Sequence, residues 1–144
     1  ADMGNAVFVA AMLELPTMAF FSKMSEKINC GTLIKFSILM FCVKHALTYF
    51  ATNMIMIYLA QVCQMFAYAL FIPASVYYVN EKIALADRVK GQSLVTTSMT
   101  LSGVFANFAG GIMLDALGVG HVLLAGIILS IVGAVIVILT TEKV

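Results

Sequence analysis

Five long apolar runs constrain this 144-residue chain more than any other feature; they cover about 4–22, 32–50, 54–79, 92–114 and 119–141. A helix that crosses roughly 30 Å of hydrocarbon needs about 20 mainly apolar residues, and each run is close to that length or longer. The runs are too long for membrane β-strands and lack their two-residue alternation. Because backbone polar groups inside a bilayer must be satisfied within helices, we predict an all-α, polytopic membrane bundle of five transmembrane helices in one domain.

The composition excludes most soluble classes. Hydrophobic residues make up 62% of the chain and charged residues only 10%, whereas a soluble domain carries about 25% charged residues. The alternative, an unusually apolar soluble helical core, would have too few charged side chains to cover its surface. The net charge is +1, so no basic bias indicates nucleic acid as a partner. The three cysteines form no CxxC pair and predict neither a disulfide framework nor a metal site.

Lysine and arginine residues are distributed unevenly between the two sides of the predicted bundle. The connections at 51–53 and 115–121 contain none. Seven of the eight lie in or near the other connections and the C-terminal tail: Lys23, Lys27, Lys35, Lys82, Arg88, Lys90 and Lys143. Because cytoplasmic loops are enriched in these residues, we predict a protein of the cell (inner) membrane whose C-terminus is cytoplasmic and whose N-terminus is extracytoplasmic. The chain starts with "ADMGNAVFV" and has no basic leader, so we expect a fragment of a longer protein.

Three ionisable residues interrupt the apolar spans: Glu14 in the first, and Lys44 and His45 in the second. Such residues are costly in a bilayer and by default mark a pathway, a relay or a partner charge. Glu14 and Lys44 lie at comparable depth on neighbouring antiparallel helices, where pairing would offset part of the cost. The alternative for Lys44 is snorkelling to the outer end of its helix, roughly 9 Å away. Adjacent helical residues point about 100° apart, so we expect Lys44 rather than His45 to face the interior.

The third span carries polar side chains on one face. Gln61, Gln64 and Tyr68 follow an i, i+3, i+7 spacing, which places them on one side of a helix. Amide and phenol groups suit hydrogen bonding to a hydroxylated or otherwise polar solute. The alternative, interhelical hydrogen bonding, contributes only about 0.6 kcal/mol on average in membranes. Pro73 lies further along the same helix and predicts a kink, because it removes one backbone hydrogen bond.

Small residues recur on the fourth span, and we expect them to pack closely against another helix. They are Ser98, Ser102, Ala106 and Gly110, with Gly103 and Gly111 beside them. Asn107 is the one strongly polar residue of this span and a candidate cavity residue. No HExxH, GxSxG, P-loop or paired aspartates occur. We therefore expect neither an enzyme nor a bound cofactor or metal.

Specific motifs add a family resemblance. The stretch "ELPTMAFFSKMSEKINCGTLI" (14–34) has an E-x-P start and a basic loop, and "DRVKGQSLVTTSMTLSGVFANFAGGIMLDALG" (87–118) has an R-x-x-G-Q start and a G-x-x-x-D-x-x-G end. With "AQVCQMFAYALFIPASVYYV" (60–79), they resemble the eighth, eleventh and tenth helices of the sugar and nucleoside proton symporters in the major facilitator superfamily, the branch related to lactose permease. The resemblance implies helices eight to twelve of a twelve-helix secondary carrier, whose N-terminal half would be the partner of this chain.

The resemblance also implies roles for single residues. Glu14 matches the sugar-contacting acid of the eighth helix, and Lys44 falls where lactose permease has an arginine implicated in proton coupling. Gln64 and Ala67 fall where that permease has a histidine and the proton-carrying glutamate. A lactose-type proton site is therefore not present, so a coupling proton would use Glu14 or the other half, or coupling would be absent. A lysine is also no bidentate substitute for an arginine.

The expected function is secondary active transport of a small polar solute, of the sugar or nucleoside class, by alternating access with a proton as coupling ion. The candidate binding and coupling residues are Glu14, Lys44, Gln61, Gln64, Tyr68 and Asn107. The alternative is a membrane-embedded structural or scaffold subunit whose polar residues serve helix packing only. In isolation, the chain would expose faces that the other half normally covers, so we also expect a tendency to self-associate.

Overall fold

The computed structural model describes residues 2–142 as five α-helices and one short 3-10 helix, without a strand in that range. The helices are α1 (Asp2–Ser25), α2 (Cys30–Tyr49), α3 (Met54–Lys82), α4 (Arg88–Leu117) and α5 (Val119–Thr140), and the 3-10 helix Leu85–Asp87 precedes α4. In α1, the side chains of residues 2, 3, 5–7, 9, 10 and 13 lie outside the description, as does Lys143. The prediction of an all-α bundle is confirmed.

Four helices are long and apolar enough to cross a membrane when the described residues are searched: α2, α3, α4 together with the preceding turn, and α5. The first predicted span falls on α1, whose side chains are described only in part. Three helices extend beyond the predicted spans at the charged end, since α1 continues to Ser25, α3 continues to Lys82 and α4 starts at Arg88. Polar residues there continue the helices beyond their apolar stretches.

The connections at the uncharged end are short and have clear local causes. Asn53 caps α3, and its side-chain oxygen accepts a hydrogen bond from the Met56 backbone N–H at 3.0 Å. Between α4 and α5, the predicted connection at 115–121 reduces to Gly118 alone. Its φ of 79° lies in the left-handed region that glycine adopts without strain. A single residue therefore separates the two helices.

The centre of the bundle is α3, which packs against α2 and α1, while α2 also packs against α5. Ala60, Ala67 and Ala74 recur every seven residues on α3 and are at most 1% exposed. Small side chains at this spacing let neighbouring helix backbones approach closely. The apolar cluster around Leu70 includes residues of α1 and α2, which are Phe21, Leu33 and Ile34.

The expected packing of the small residues on α4 is wrong for this chain. Ser98, Ser102 and Ala106 are exposed, and a Cβ atom added at Gly103, Gly110 or Gly111 would meet nothing within 4 Å. A close contact with the end of α3 lies at the start of α4, where a Cβ on Gly91 would clash with Val79 of α3 and with Ile83, the residue that follows α3. The close approach therefore occurs at the start of α4, and its small-residue stripe is open.

The charged ends of the helices meet in a cluster that we call the C-terminal clasp, formed by Gly31, Tyr78, Lys82, Thr141 and Glu142. The Lys82 ammonium donates to the Glu142 carboxylate, and the Glu142 backbone N–H donates to the Tyr78 hydroxyl at 3.3 Å. The Glu142 backbone also crosses Gly31, where an added Cβ would lie 2.1 Å from the Glu142 carbonyl oxygen. The clasp fixes the chain end to the start of α2 and the end of α3.

We predict that Gly31→Ala displaces the C-terminal clasp and lowers the free energy of unfolding by about 1–3 kcal/mol, because a methyl group has no room against backbone atoms. The matched control is Gly103→Ala, which adds the same methyl group in open space and should stabilise the helix by up to about 1 kcal/mol. Thermal unfolding of both purified variants in detergent measures the difference. Equal changes in the two variants would contradict the assignment of Gly31 to the clasp.

The ion pair of the clasp predicts a pH dependence. The hydrogen bond from Lys82 holds the pKa of Glu142 below its ordinary value of 4.5. Because the folded pKa is the lower one, the pair stabilises the fold above the unfolded pKa, and this contribution is lost as the pH falls through the folded pKa. We expect the thermal midpoint of the unsubstituted protein to fall below pH 4.5 more steeply than that of Glu142→Gln. The difference should be small and weakened by salt, because both groups are exposed.

Candidate functional site

A chain of hydrogen bonds joins three helices inside the bundle. The Lys44 ammonium of α2 donates to the side-chain oxygen of Gln64 on α3. The side-chain nitrogen of Gln64 donates in turn to Glu14 Oε1 on α1, at 3.3 Å. We call this arrangement the polar bridge, and it comprises Glu14, Gln64 and Lys44. The polar bridge places the two opposite charges at the two ends of the neutral Gln64 amide.

The polar bridge lies well inside the helices. Gln64 is ten residues from the start of α3 at Met54, and Glu14 is eleven residues from the end of α1 at Ser25, so each lies roughly 15 Å from its helix end at 1.5 Å per residue. Lys44 is closer to the end of α2, but its ammonium bonds to Gln64 rather than extending outward. Side chains lean towards the N-terminus of their helix, and the N-terminus of α2 lies at the far, charged end. Lys44 therefore does not snorkel to the outer end of its helix.

Glu14 and Lys44 are linked only indirectly. Within residues 2–142, the direct ion pairs are Lys82–Glu142 and Lys90–Asp87, and Gln64 stands between Glu14 and Lys44. All three side chains of the polar bridge are partly exposed rather than fully buried. The charges are thus hydrogen-bonded, which limits the cost of removing them from water, and they are still accessible from an open side of the bundle.

Lys44 and His45 point in different directions. While Lys44 reaches α3, the His45 Nδ1–H donates to the Phe41 carbonyl oxygen of its own helix at 2.8 Å. The ring of His45 lies against α5, where a Cβ on Gly126 would be 3.4 Å from its Cδ2 atom. Cys42 also faces α5, and its thiol donates to the Ser130 carbonyl oxygen at 3.3 Å. His45 is therefore part of the α2–α5 contact and not of the polar bridge.

The other polar residues of the predicted face on α3 have different surroundings. Gln61 lies half-buried one turn before Gln64, and none of the side-chain hydrogen bonds found within residues 2–142 involves it. Tyr68 lies one turn after Gln64 and lines a groove of about 640 Å³ between α2, α3 and α4. Phe41, Phe71 and Ser102 also line this groove. The predicted stripe thus leads from the polar bridge into a mainly apolar groove.

Asn107 is separate from these residues. It lies on the exposed face of α4, and its side-chain nitrogen donates to the Gly103 carbonyl oxygen of the same helix at 2.9 Å. The structure joins Glu14, Lys44 and Gln64, places Gln61 and Tyr68 next to them on α3, and leaves Asn107 on an open surface. Within the part of the chain that the structure describes, no three His, Cys, Asp or Glu residues are grouped as metal ligands.

Sequence reasoning missed the bridging role of Gln64 and the burial of Ala67. The sequence contains no signal for the first, because contacts between helices set how each helix is rotated about its axis. The signal for the second is the seven-residue spacing of Ala60, Ala67 and Ala74, which are almost completely buried. Since Ala67 is 0% exposed, a carboxylate at this position would be placed in the packed interior and not at a wet site.

Comparison with protein families supports what the helices and the polar bridge indicate. A search of curated proteins and a search of solved structures each gave no match. The family model described as Major Facilitator Superfamily matches residues 1–144, the full length of the chain. Several apolar helices long enough to cross a membrane, with a hydrogen-bonded charge pair among them, agree with that match. The chain is a multi-pass membrane protein of the transporter type and belongs to the major facilitator superfamily.

Proposed function

We propose that this chain is part of a secondary active transporter that binds a small polar solute at the polar bridge and moves it by alternating access. The observation that carries the proposal is the hydrogen-bonded set of Glu14, Gln64 and Lys44, in which Glu14 lies about midway along α1 and Gln64 lies roughly 15 Å inside α3. In carriers of this type, solute binds near the membrane midplane between two halves that rock against each other. A partly exposed set of opposite charges at this depth suits that use better than a packing contact does.

The charge of the polar bridge favours an uncharged solute. With Glu14 ionised and Lys44 protonated, the two charges cancel, and the Gln64 amide is neutral. A charged solute would leave one buried charge uncompensated, which is costly in a low-dielectric site. A neutral solute with several hydroxyl or amide groups, as in the sugar or nucleoside class, offers both an acceptor for Lys44 and a donor for Glu14. The resemblance of the sequence motifs to the symporters of the lactose permease branch implies the same class.

Proton coupling in this chain would depend on Glu14. At the two positions where the resemblance expects titrating groups, this chain has the amide of Gln64 and the buried methyl group of Ala67. Neither binds a proton in the range of physiological pH. A coupling proton taken up by this chain would therefore bind to Glu14, where it would also replace an ionic hydrogen bond from Gln64 by a weaker neutral one.

The proposed architecture is the eighth to twelfth helices of a twelve-helix carrier, with its N-terminal half as partner and the C-terminus in the cytoplasm. The exposed stripe of α4 supports a partner, because a helix face of small residues normally packs against another helix. The clasp and the start of α4 collect Lys82, Arg88 and Lys90 at one end of the bundle, which agrees with the charge count behind the orientation. In isolation, the same open faces would favour self-association.

Solute uptake by the complete carrier tests the proposal. Glu14→Gln and Lys44→Met each remove one charge of the polar bridge and leave the other uncompensated. We expect each to reduce uptake at least tenfold, while the amount of folded protein in the membrane stays close to that of the unsubstituted carrier. Lys90→Gln is the control, because the ammonium of Lys90 is exposed and pairs locally with Asp87.

The outcome separates transport from a scaffold role. Full uptake by both bridge variants would remove Glu14 and Lys44 from the transport site. A complete carrier that takes up no sugar, nucleoside or other neutral polar solute, and whose assembly with partner proteins alone depends on these residues, would support the scaffold alternative instead.

A further inference from the structure

Gln64 uses both ends of its amide on protein partners. A glutamine amide has one oxygen that accepts and two N–H groups that donate. Here the oxygen accepts from Lys44, and the nitrogen donates to Glu14 at 3.3 Å. The orientation of the amide follows from its neighbours, because an ammonium only donates and an ionised carboxylate only accepts. Gln64 is thus left with one N–H and one lone pair of its oxygen, half of its capacity, whereas Lys44 and Glu14 keep most of their hydrogen-bonding capacity.

Most of the hydrogen-bonding capacity that remains lies on the two charged residues. Lys44 has two further N–H groups and Glu14 has a second carboxylate oxygen, and both side chains are partly exposed. Without Gln64, opposite charges on α1 and α2, which both pack against α3, would attract each other strongly in a low-dielectric interior. They would close into a direct ion pair and satisfy each other. The amide keeps them apart, so that both remain available to a third molecule.

We propose that Gln64 is a positioning residue that holds Lys44 and Glu14 one amide apart, and that the solute binds to these two residues and not to Gln64. This inference rests on the proposed transport function. It differs from the expectation for the matching position in the symporter branch, where the side chain would titrate or bind solute. The solute then has to span the same gap as the amide, with an acceptor towards Lys44 and a donor towards Glu14.

The first test is the pH profile of uptake by two variants of the complete carrier, each relative to the unsubstituted carrier at the same pH. In Gln64→Glu, a protonated carboxyl retains a carbonyl acceptor for Lys44 and an O–H donor for Glu14, whereas an ionised one cannot donate and repels Glu14. We expect relative uptake close to that of the unsubstituted carrier at acid pH and at least tenfold lower at alkaline pH. In Gln64→Met, the methionine side chain is similar in size to glutamine but cannot form hydrogen bonds to both Lys44 and Glu14. Relative uptake by this variant should therefore be at least tenfold lower at every pH.

The second test does not depend on transport. A membrane-permeant carbodiimide activates the Glu14 carboxyl as an O-acylisourea; an amine in direct contact then attacks it, and the urea leaves. The product is an amide bond between Glu14 and Lys44, formed with the net loss of one water from the protein. We expect this cross-link by mass spectrometry in Gln64→Met and not in the unsubstituted carrier. Met65→Leu, at the next position on α3, is the control and should show neither the cross-link nor reduced uptake.

The combined results distinguish three cases. A cross-link in Gln64→Met together with pH-dependent uptake in Gln64→Glu supports positioning. A Gln64→Met carrier without the cross-link, whose KM rises while its maximal rate is unchanged, overturns positioning, because Gln64 is then a solute ligand. An unsubstituted carrier without uptake, or full uptake by Glu14→Gln and Lys44→Met, refutes the proposed function itself; in that case the cross-link still reports whether Gln64 separates the two charges.

Discussion

The polar bridge depends on one physical constraint, which is that a charge inside a membrane protein must be hydrogen-bonded or exposed to water. Lys44 and Glu14 meet this constraint through the single amide of Gln64, and the three residues come from three different helices. The link requires α2 and α1 to lie close to α3 at the same depth. The alanine stripe of α3 allows that approach, since Ala60, Ala67 and Ala74 add almost no bulk at the contact. The packing of α1 and α2 against α3 and the geometry of the polar bridge therefore depend on the same helix contacts.

Small residues serve two purposes in this chain. On α3 they are buried and bring neighbouring helices together, whereas on α4 they form an open stripe and only Gly91 makes a close approach. The small residues recur every seven positions on α3 and every four positions on α4. Both spacings keep small residues on one side of a helix, so spacing alone does not tell an internal contact from an external one. What differs is the environment, because α3 has helices on several sides and α4 has contacts mainly at its first turn and with α5. An open stripe of this kind is what a helix at an interface with further membrane segments would present.

The sequence predicted the general architecture well, because long apolar runs and one-sided charge depend on local composition. It also identified Glu14 and Lys44, since ionisable residues are conspicuous in apolar spans. It did not predict that Gln64 separates them, because which side chain comes between two charges depends on how each helix is rotated about its axis. Pairwise helix contacts set that rotation, and no single span encodes it. Spacing alone also did not predict that the small residues of α4 would be open within the described residues, nor that His45 would lie against Gly126 on α5.

The central helix α3 connects the features on which transport would depend. Its third turn carries Gln64 of the polar bridge, the next turn places Tyr68 at the groove, and its last turn holds Lys82 in the C-terminal clasp. A rotation of α3 about its axis would therefore act on all three at once, moving the amide relative to Glu14 and Lys44 while straining the ion pair at the charged end. The clasp resists such a rotation only weakly, because Lys82 and Glu142 are solvent-exposed. The buried alanine contacts resist it more strongly. Movement of the bundle as one body is thus less costly than rotation of α3 within it. Movement as one body is also the kind of motion that a rocking carrier requires.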